Sequence, residues 1–322
     1  MAWRRGDCIG KGGYGEVFIA IPSNPAFKTM AVKSVPKENA ASLLIEYQIL
    51  EKLRDVPGVV QTFGLETRES EPRSGGGRRT YNLLMELSPR GSLVNLIADY
   101  SLLSGIPESH VRGYARMILR ALSSIHSLGF IHCDIKPDNV LVFPAGNMGG
   151  QSESLFELKI ADFRLATETW KLGPGSRIFT GTLRYMPPEA AVEGQVSPAM
   201  DVWGLGCTVV EMLTGNLPWS RFKEDGEVLR EIVAGRTPEI PEWLSAKGKD
   251  FLSKCFARDP NHRLHVEMFL KHPFVADYGV IGDRRTKTAA VFGGGGMEMQ
   301  RSPVAVRPRQ LFQSGRAAAL MC

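Results

Sequence analysis

The sequence predicts an α+β fold of two lobes: a small lobe with an antiparallel sheet and one main helix, then a larger, mainly helical lobe. Residues 1–87 contain short β-rich runs around a single stretch with helical spacing. Residues 88–275 are dominated by helical spacing. Since ligands commonly bind in the crevice between two such parts, we expect the functional residues to lie where the lobes meet.

Composition narrows the class of protein. Of the 322 residues, 43% are hydrophobic and 23% are charged, which is ordinary for a globular protein with a large core. No run approaches the roughly 18 apolar residues that a membrane-spanning helix needs, so no membrane span is expected. The five cysteines are scattered and form no CxxC pair. This favours a reducing compartment, the cytoplasm or also the nucleus, over a disulfide framework or a zinc site.

The net charge of +5 is concentrated at the end of the chain, because residues 276–322 hold seven Lys or Arg against three Asp or Glu. That segment also contains GGGG (293–296) and little apolar periodicity, which predicts a flexible basic tail. The preceding residues are nearly neutral, so no nucleic-acid surface is expected. No pattern indicates an oligomeric state.

The first lobe is predicted to contain strands and one helix. GEVFIAI (15–21) and TMAVKSV (29–35) are β-rich and joined by a hairpin-like connection. ENAASLLIEYQILEKL (38–53) has helical spacing. VVQTFGLE (59–66) and TYNLLMEL (80–87) are again strand-like, and the polar, glycine-rich residues between them predict an extended surface turn.

The second lobe begins with a predicted helix whose apolar face runs over residues 111–125 and which ends near Gly129. Strands are predicted over FIHCD (130–134), NVLVF (139–143) and LKIAD (158–162). MDVWGLGCTVVEMLTG (200–215) is apolar on nearly every side and predicts a buried central helix. GKDFLSKCF (248–256) and HVEMFLKH (265–272) are typical of amphipathic helices.

Gly10, Gly12 and Gly15 form a G-x-G-x-x-G pattern between two strand-like segments. Glycines at this spacing let backbone amides approach phosphate oxygens, although a plain glycine-rich hairpin would show the same pattern. A dinucleotide fold would need a helix directly afterwards, but EVFIAIP is strand-like.

Two further stretches contain charged residues in apolar surroundings. Lys33 lies inside the strand-like AVKSV, where a lysine is usually an edge residue pointing to water, but Glu46 on the predicted helix is a suitable partner. IHCDIKPDNVLV (131–142) places Asp134, Lys136 and Asn139 within six residues, together with His132. Neither core packing nor turn formation requires this set.

The ordered motifs resemble those of eukaryotic protein kinases, of the serine/threonine class. They are G-x-G-x-x-G-x-V (10–17), A-V-K (31–33), H-x-D-x-K-x-x-N (132–139), A-D-F (161–163), GTLRYMPPE (181–189), DVWGLG (201–206) and RDPNHR (258–263), and together they cover residues 3–274. The resemblance implies the bilobal kinase fold, with residues 1–87 as the N-lobe and 88–275 as the C-lobe.

The resemblance also implies roles for single residues, with ATP and Mg²⁺ as cofactors and a protein substrate. Asp134, Lys136, Lys33 and Glu46 would be catalytic, and Asn139 and Asp162 would hold metal. The implied ATP-binding residues are Gly10, Lys11, Gly12, Gly13, Gly15, Val17, Ala31, Lys33, Met85, Glu86, Leu87, Asn139, Leu141 and Asp162. Glu189 and Arg263 would form a structural ion pair, and Asp201 would support the catalytic loop.

MAWRRGDCIGKG, HCDIKPDNVL and DVWGLGCTVVEMLTGNLPW are most similar to short, MEKK-like plant mitogen-activated protein (MAP) kinase kinase kinases. This resemblance implies that the protein substrate is a MAP kinase kinase.

Two departures from the kinase pattern bear on activity. Cys133 replaces the arginine that usually precedes the catalytic aspartate and binds an activation-loop phosphate, so we expect a weaker dependence on phosphorylation of Ser176 or Thr180. Arg164 stands where the family has glycine after Asp162-Phe163. In a left-handed conformation a non-glycine residue costs roughly 1–2 kcal/mol.

Arg164 leaves two interpretations open. Its side chain either points to solvent without consequence or forms an ion pair with Asp162 that competes with Mg²⁺ and restrains the loop. Two classes of function follow: an active serine/threonine kinase, or a kinase-like scaffold with little phosphoryl transfer. Retention of all six charged or amide residues of the site favours the first class.

Overall fold

A five-stranded antiparallel sheet forms the small lobe, as the sequence predicts. The computed structural model describes residues 2–12, 15–69, 79–145, 156–172 and 181–276, all within one compact unit. The strands are β1 (Trp3–Gly12), β2 (Gly15–Pro22), β3 (Met30–Pro36), β4 (Thr62–Glu69) and β5 (Arg79–Glu86), in the spatial order β1-β2-β3-β5-β4. The main helix, α1 (Ala40–Lys52), follows β3 along the chain.

Burial explains why α1 packs as it does. Leu43, Glu46, Ile49 and Leu50 are buried at helical spacing, so a carboxylate lies within the apolar face. β3 is the central strand of the sheet, paired with β2 on one side and β5 on the other. Lys33 is therefore not an edge residue, and the expectation based on the usual place of a strand lysine is wrong.

The larger lobe is mainly helical. Its helices are α2 (Leu93–Asp99), α3 (Glu108–Ser127), α4 (Pro188–Glu193), α5 (Pro198–Thr214), α6 (Asp225–Val233), α7 (Ala246–Cys255), α8 (Val266–Leu270) and α9 (Pro273–Ala276). Short strands β6 (Phe130–Ile131) and β9 (Thr167–Glu168) pair, as do β7 (Val140–Phe143) and β8 (Glu157–Ile160). The predicted α+β fold class is confirmed.

Helix α5 is the centre of this lobe, since every residue over 200–213 is buried. A Cβ added at Gly204 would lie 2.8 Å from the Ile135 carbonyl oxygen, and one added at Gly206 would lie 2.8 Å from the Cys255 Cβ. The helix therefore touches the catalytic loop on one side and α7 on the other, and both contacts require glycine.

Two predicted strands are shorter than expected. The strand expected over 130–134 ends at Ile131, and Cys133 has a φ of 67°. The strand expected over 158–162 ends at Ile160, and Asp162 has a φ of 64°. Because a positive φ ends extended structure, the chain turns after each of these strands, where the charged residues begin.

The two lobes are joined by backbone hydrogen bonds between the α1–β4 connection and β8. The Val60 amide donates to the Ile160 carbonyl at 2.9 Å, and the Ile160 amide donates to the Gly58 carbonyl at 2.8 Å. Gly58 has a φ of 79°, and an added Cβ would lie 2.8 Å from the Ala121 Cβ on α3. This connection is thus fixed to the larger lobe at van der Waals contact.

Four cysteines lie in the described part of the chain, and all are free thiols. Cys133, Cys207 and Cys255 are buried, and Cys8 on β1 is exposed. Burial raises the pKa of each buried thiol well above its usual value. Among the described residues no helix is long and apolar enough to cross a membrane. Of the surface turn predicted over 68–80, residues 70–78 lie outside those residues, whereas its ends belong to β4 and β5. The predicted tail beyond residue 276 also lies outside them, and the lobe boundary at 87/88 stays a prediction.

Candidate active site

Three charged side chains meet between the lobes. The Lys33 Nζ lies 2.6 Å from Glu46 Oε2 and 2.8 Å from Asp162 Oδ1. β3 supplies the lysine, α1 the first carboxylate, and the loop after β8 the second. The Lys33 side chain is 12% exposed, so these ion pairs are only weakly screened by solvent. Lys33 therefore links α1 to the loop after β8.

Charge and burial act against each other in this cluster. Burial raises the pKa of Glu46, an effect that Lys33 only partly offsets. Burial also opposes ionisation of Asp162, but the nearby Lys33 and Arg164 charges hold the pKa of Asp162 below its usual value. Although burial lowers the pKa of Lys33, the two carboxylates raise it. Lys33 is therefore positively charged and Asp162 is negatively charged at neutral pH.

The catalytic loop holds Asp134 by both carboxylate oxygens. Oδ1 accepts a hydrogen bond from the Thr182 hydroxyl at 2.7 Å, and Oδ2 accepts one from the Asn139 amide nitrogen at 2.9 Å. The Lys136 Nζ lies 2.9 Å from Asp134 Oδ2 and also donates to the Thr182 hydroxyl. Asp134 is buried, so its carboxylate is held in one orientation.

A second layer supports this loop from α5. The Asp201 carboxylate accepts backbone amides of His132 and Cys133, each at 2.9 Å, and lies 2.8 Å from His126 Nε2. Burial opposes ionisation, yet these hydrogen bonds, first that of His126, lower the pKa of Asp201. The anion therefore stabilises the left-handed turn at Cys133, in agreement with the support role expected for Asp201.

The histidine of the loop fixes the segment that carries Asp162. His132 Nε2 donates to the Ala161 carbonyl at 3.0 Å, and its Nδ1 accepts the Asp134 amide at 3.3 Å. This pair of partners defines a neutral ring protonated at Nε2. Phe163 is fully buried and packs edge-on against His132, with ring centroids 4.9 Å apart. Asp162 is thereby held facing Lys33.

The glycine-rich loop connects β1 and β2 above this cluster. Gly12 pairs with Gly15 across the turn, and Lys11 forms an exposed ion pair with Glu16 at 2.9 Å. A Cβ added at Gly15 would lie 2.6 Å from the Val35 Cγ1, whereas one added at Gly12 would meet no described atom within 4 Å. Gly15 is needed for packing and Gly12 leaves open space at the turn. Gly13 lies outside the described residues.

The predicted adenine-binding residues lie on both sides of the cleft. Ala31 pairs with Met85 across β3 and β5, and Val17 pairs with Lys33 across β2 and β3. Leu141 on β7 forms an isolated antiparallel bridge with Ser92, and the neighbouring Val142 amide donates to the Gly91 carbonyl at 2.9 Å. Leu87, directly after β5, is half-buried.

Glu86 has a role that the sequence did not indicate. Its carboxylate lies 2.8 Å from Lys159 Nζ on β8 and accepts the Gln61 amide at 2.8 Å. Its side chain ties the end of β5 to the larger lobe, and its backbone amide donates to the Gln61 carbonyl at 3.0 Å. Lys159, which follows an apolar residue in a short strand, gave no signal that separates it from a surface lysine.

The oxygen atoms at this site fit a magnesium ion that takes some of its ligands from the protein and the others from a bound nucleotide. Asp162 offers a carboxylate, and Asn139, whose amide nitrogen is bound to Asp134, presents its amide oxygen away from that bond. No cluster of three or more His, Cys, Asp or Glu that could hold a metal occurs in the described residues. Mg²⁺ characteristically uses one or two such protein oxygens together with phosphate oxygens and water. Asn139 and Asp162 would therefore hold the ion, which would neutralise phosphate charge when bound.

The structure distinguishes the two interpretations of Arg164. Its side chain is only 19% exposed, with Nε 3.5 Å from Asp162 Oδ2, so the solvent-pointing interpretation is wrong. Its backbone lies in a 3₁₀ turn over Phe163–Leu165, and the left-handed residue is Asp162 instead. The positive φ thus falls on Asp162, the predicted metal ligand, while the ion pair between Arg164 and Asp162 is present.

Cys133 lies in an apolar cluster in place of a cation. Its thiol packs with Ile131, Met186, Ala190 and Met200. Glu168 on β9 instead forms ion pairs with Lys52 at the end of α1 and with Lys171. These pairs link α1 to the loop that follows Asp162 without any phosphate. The linkage joins residues far apart in sequence and could not be predicted from it.

A small sheet with one helix, a larger helical lobe and this lysine–carboxylate–catalytic loop constellation define a phosphotransferase that acts on proteins. The chain belongs to the protein kinase family, since a model of the protein kinase domain matches residues 3–275. It is a serine/threonine protein kinase. The structure brings the predicted catalytic and metal-binding residues together between the lobes.

Three relatives show where in the family the chain lies. It is 40% identical to mitogen-activated protein kinase kinase kinase 20 of Arabidopsis thaliana over 288 residues, covering 85% of this chain and 78% of that protein. It is 36% identical to mitogen-activated protein kinase kinase kinase 18 of the same plant over 281 residues, covering 86% of this chain and 78% of that protein. Its identity to kinase kinase kinase ANP1 is 33% over 289 residues, covering 85% and 40%. The resemblance to plant MAP kinase kinase kinases is confirmed.

Proposed function

We propose that this kinase transfers the γ-phosphoryl group of ATP, with Mg²⁺, to a serine or threonine hydroxyl of a MAP kinase kinase. The observation that carries the proposal is the Asp134 carboxylate, held by Thr182, Asn139 and Lys136. The names of the relatives support the substrate class, since each is a kinase of MAP kinase kinases by name.

The chain's own residues divide the work. Asp134 accepts a hydrogen bond from the substrate hydroxyl and takes its proton as the oxygen–phosphorus bond forms and ADP leaves. Lys136 supplies positive charge beside the transferred group. Lys33 holds phosphate oxygens, and Glu46 keeps Lys33 in place. Asn139 and Asp162 supply the metal ligands.

Lys136, Thr182 and Asp134 form one hydrogen-bonded group. Thr182 hydrogen-bonds to both charged residues, so the catalytic loop is fixed to the segment that precedes α4. A scaffold without activity has no need for this arrangement, and the scaffold alternative is not supported.

The test uses purified protein, Mg²⁺, radiolabelled ATP and a set of catalytically inactive MAP kinase kinases as substrates. Lys33→Met and Asp134→Asn should each reduce phosphoryl transfer at least about 100-fold, because each removes a group needed in the transition state. Lys254→Met, which changes an exposed lysine on α7, is the matched control. Native activity equal to that of Lys33→Met would contradict the enzyme assignment. Labelling of unrelated proteins at the same rate as MAP kinase kinases would contradict the substrate class.

A further inference from the structure

Asp162 lies between two cations. Lys33 contacts Oδ1 at 2.8 Å, and Arg164 lies 3.5 Å from Oδ2 on the other side. Each carboxylate oxygen therefore faces its own positive charge. An incoming metal ion must compete with one of these cations for an oxygen of Asp162.

Arg164 also acts on Glu46. Its positive charge lowers the pKa of Glu46, counteracting part of the larger effect of burial. Glu46 Oε2 is bound to Lys33, whereas Oε1 is buried and has no hydrogen-bond partner among the described residues. A buried carboxylate oxygen in this state is costly unless positive charge lies nearby. The 3₁₀ turn that carries Arg164 packs against α1, so the arginine supplies such charge near Glu46.

Two cations and two carboxyl groups thus lie together as one set: Lys33, Glu46, Asp162 and Arg164. Three elements contribute to it, β3, α1 and the 3₁₀ turn after Asp162, so the set links α1 to the loop directly. A glycine at position 164 would leave the two carboxylates with Lys33 alone.

We propose that Arg164 is a positioning residue that takes the place of a cation in the metal-free site, holding Asp162 and α1 in the active arrangement and yielding Asp162 to Mg²⁺ when the nucleotide binds. The proposal has two parts: a metal half, in which Arg164 competes with Mg²⁺ for Asp162, and a positioning half, in which it holds α1. The metal half rests on the proposed function. Together the two halves make the kinase pre-assembled but more demanding of metal than a chain with glycine at this position.

The metal half predicts that removal of the Arg164 charge strengthens metal binding. Mn²⁺ is titrated into protein saturated with ADP, and free Mn²⁺ is followed by electron paramagnetic resonance. Arg164→Gln, which removes the charge but keeps a Cβ, should bind Mn²⁺ about fivefold more tightly than the native protein. Arg164→Lys, which keeps the charge, should stay within about twofold. Arg221→Gln changes an exposed arginine elsewhere in the larger lobe and should have no effect.

The positioning half is measured without any ligand. Hydrogen exchange of the backbone amides of α1 should be about fivefold faster in Arg164→Gln and near native in Arg164→Lys. Unchanged or weaker Mn²⁺ binding in Arg164→Gln would overturn the competition with metal. Unchanged exchange in α1 would overturn the positioning role.

The two proposals fail in different ways. If neither the native protein nor any variant bound Mn²⁺ with ADP, the nucleotide-dependent function would be wrong and the metal half of this inference would be wrong with it. The exchange measurement would still decide the positioning half.

Discussion

Glu211 on α5 is a buried acid outside the catalytic set. It accepts a hydrogen bond from the Tyr185 hydroxyl in the segment before α4, and no ion pair joins its side chain to a cation among the described residues. Burial raises the pKa of Glu211 to about 7, Tyr185 lowers it in part, and the negative charge of Asp138 raises it further. The folded protein therefore keeps a proton that the unfolded chain releases.

The sign of the pH dependence follows from this shift. Because the folded pKa lies above the ordinary value of 4.5, the stabilisation is complete below about pH 4.5 and is lost as the pH rises through about 7. We expect Glu211 to lower the free energy of unfolding by about 3 kcal/mol between those limits. Urea denaturation at pH 5, 6, 7 and 8 measures this loss. Glu211→Gln should flatten the curve, and an equally steep curve in that variant would exclude Glu211 as the cause.

Residue identities in the site were predicted better than residue conformations. The spacing of His132, Asp134 and Asn139 marked the catalytic loop, and the motif resemblance marked Arg164 as a departure. The positive φ of Asp162 and Cys133 was not predictable, since neither residue type requires it and distant groups such as Asp201 stabilise it. Glu211 could have been noticed as an acid within a run that is apolar on all sides.

The replacement of arginine by Cys133 concerns the segment between β9 and α4, which contains the candidate phosphorylation sites Ser176 and Thr180. Both sites lie outside the described residues. Cys133 offers no cation to a phosphate there, and Lys52 and Lys171 are already paired with Glu168. We expect a Ser176→Ala, Thr180→Ala double variant to keep at least about half of the native rate in the purified protein.

This prediction is checked by initial rates of substrate labelling, after phosphatase treatment of both proteins. Loss of nearly all activity in the double variant would show that a phosphate on the loop is required despite Cys133. Lys52→Met is an informative companion, because it should reduce the rate by loosening the link between α1 and β9.

The ion pair between α4 and the turn before α8 fixes the end of the same segment. Arg263 Nη1 lies 2.7 Å from Glu189 Oε1, and the guanidinium also donates to the Ala257 and Ala199 carbonyls. Both side chains are buried, so removal of one leaves the other charge uncompensated. Arg263→Met should lower the free energy of unfolding by about 3–5 kcal/mol. Arg90→Met, which breaks an exposed ion pair with Asp99, should leave stability within error.

Chemical denaturation monitored by tryptophan fluorescence distinguishes these variants. A similarly small change in the free energy of unfolding in both variants would mean that the buried Arg263–Glu189 pair contributes no more to stability than an exposed pair. The pair itself was expected from the motifs, whereas its additional carbonyl partners come from the fold.

Long elements with strong periodicity were predicted well. The patterns indicated α1, α3 and α5, whose buried faces repeat over three or more turns. The helix predicted over 265–272 is present as the shorter α8, whereas α4 and α9 were not predicted, because six residues or fewer are too few for a period to be distinguished from chance. The strands next to the catalytic loop were overextended because alternating apolar residues continue into the turns.

At the scale of the molecule, the α1–β4 connection couples the lobes through Gly58. Its φ of 79° and the 2.8 Å approach of an added Cβ to the Ala121 Cβ both oppose any side chain. Gly58→Ala should therefore destabilise the protein by about 2–4 kcal/mol, combining backbone strain with overpacking. Gly226→Ala, within α6 and with no described atom within 4 Å of the added Cβ, is the matched control and should be neutral or slightly stabilising.

Differential scanning calorimetry gives the change in stability, and hydrogen exchange of α1 and β8 shows whether the lobes separate. An equal midpoint shift in both variants would mean that the contact with α3 is dispensable. The two-lobed plan was predictable from the change in spacing along the chain, but this joint was not, because it joins backbone groups about 100 residues apart.

The thiols have a practical consequence for following motion. Among the described cysteines, three are buried with pKa values raised by burial, so the reactive thiolate is scarce at each of them. Cys8 alone of these four is exposed, two residues before Gly10. A maleimide dye on the domain, with Cys322 changed to serine, would therefore attach at the strand that enters the glycine-rich loop. Its fluorescence would report opening and closing of that loop in real time, without any engineered label site.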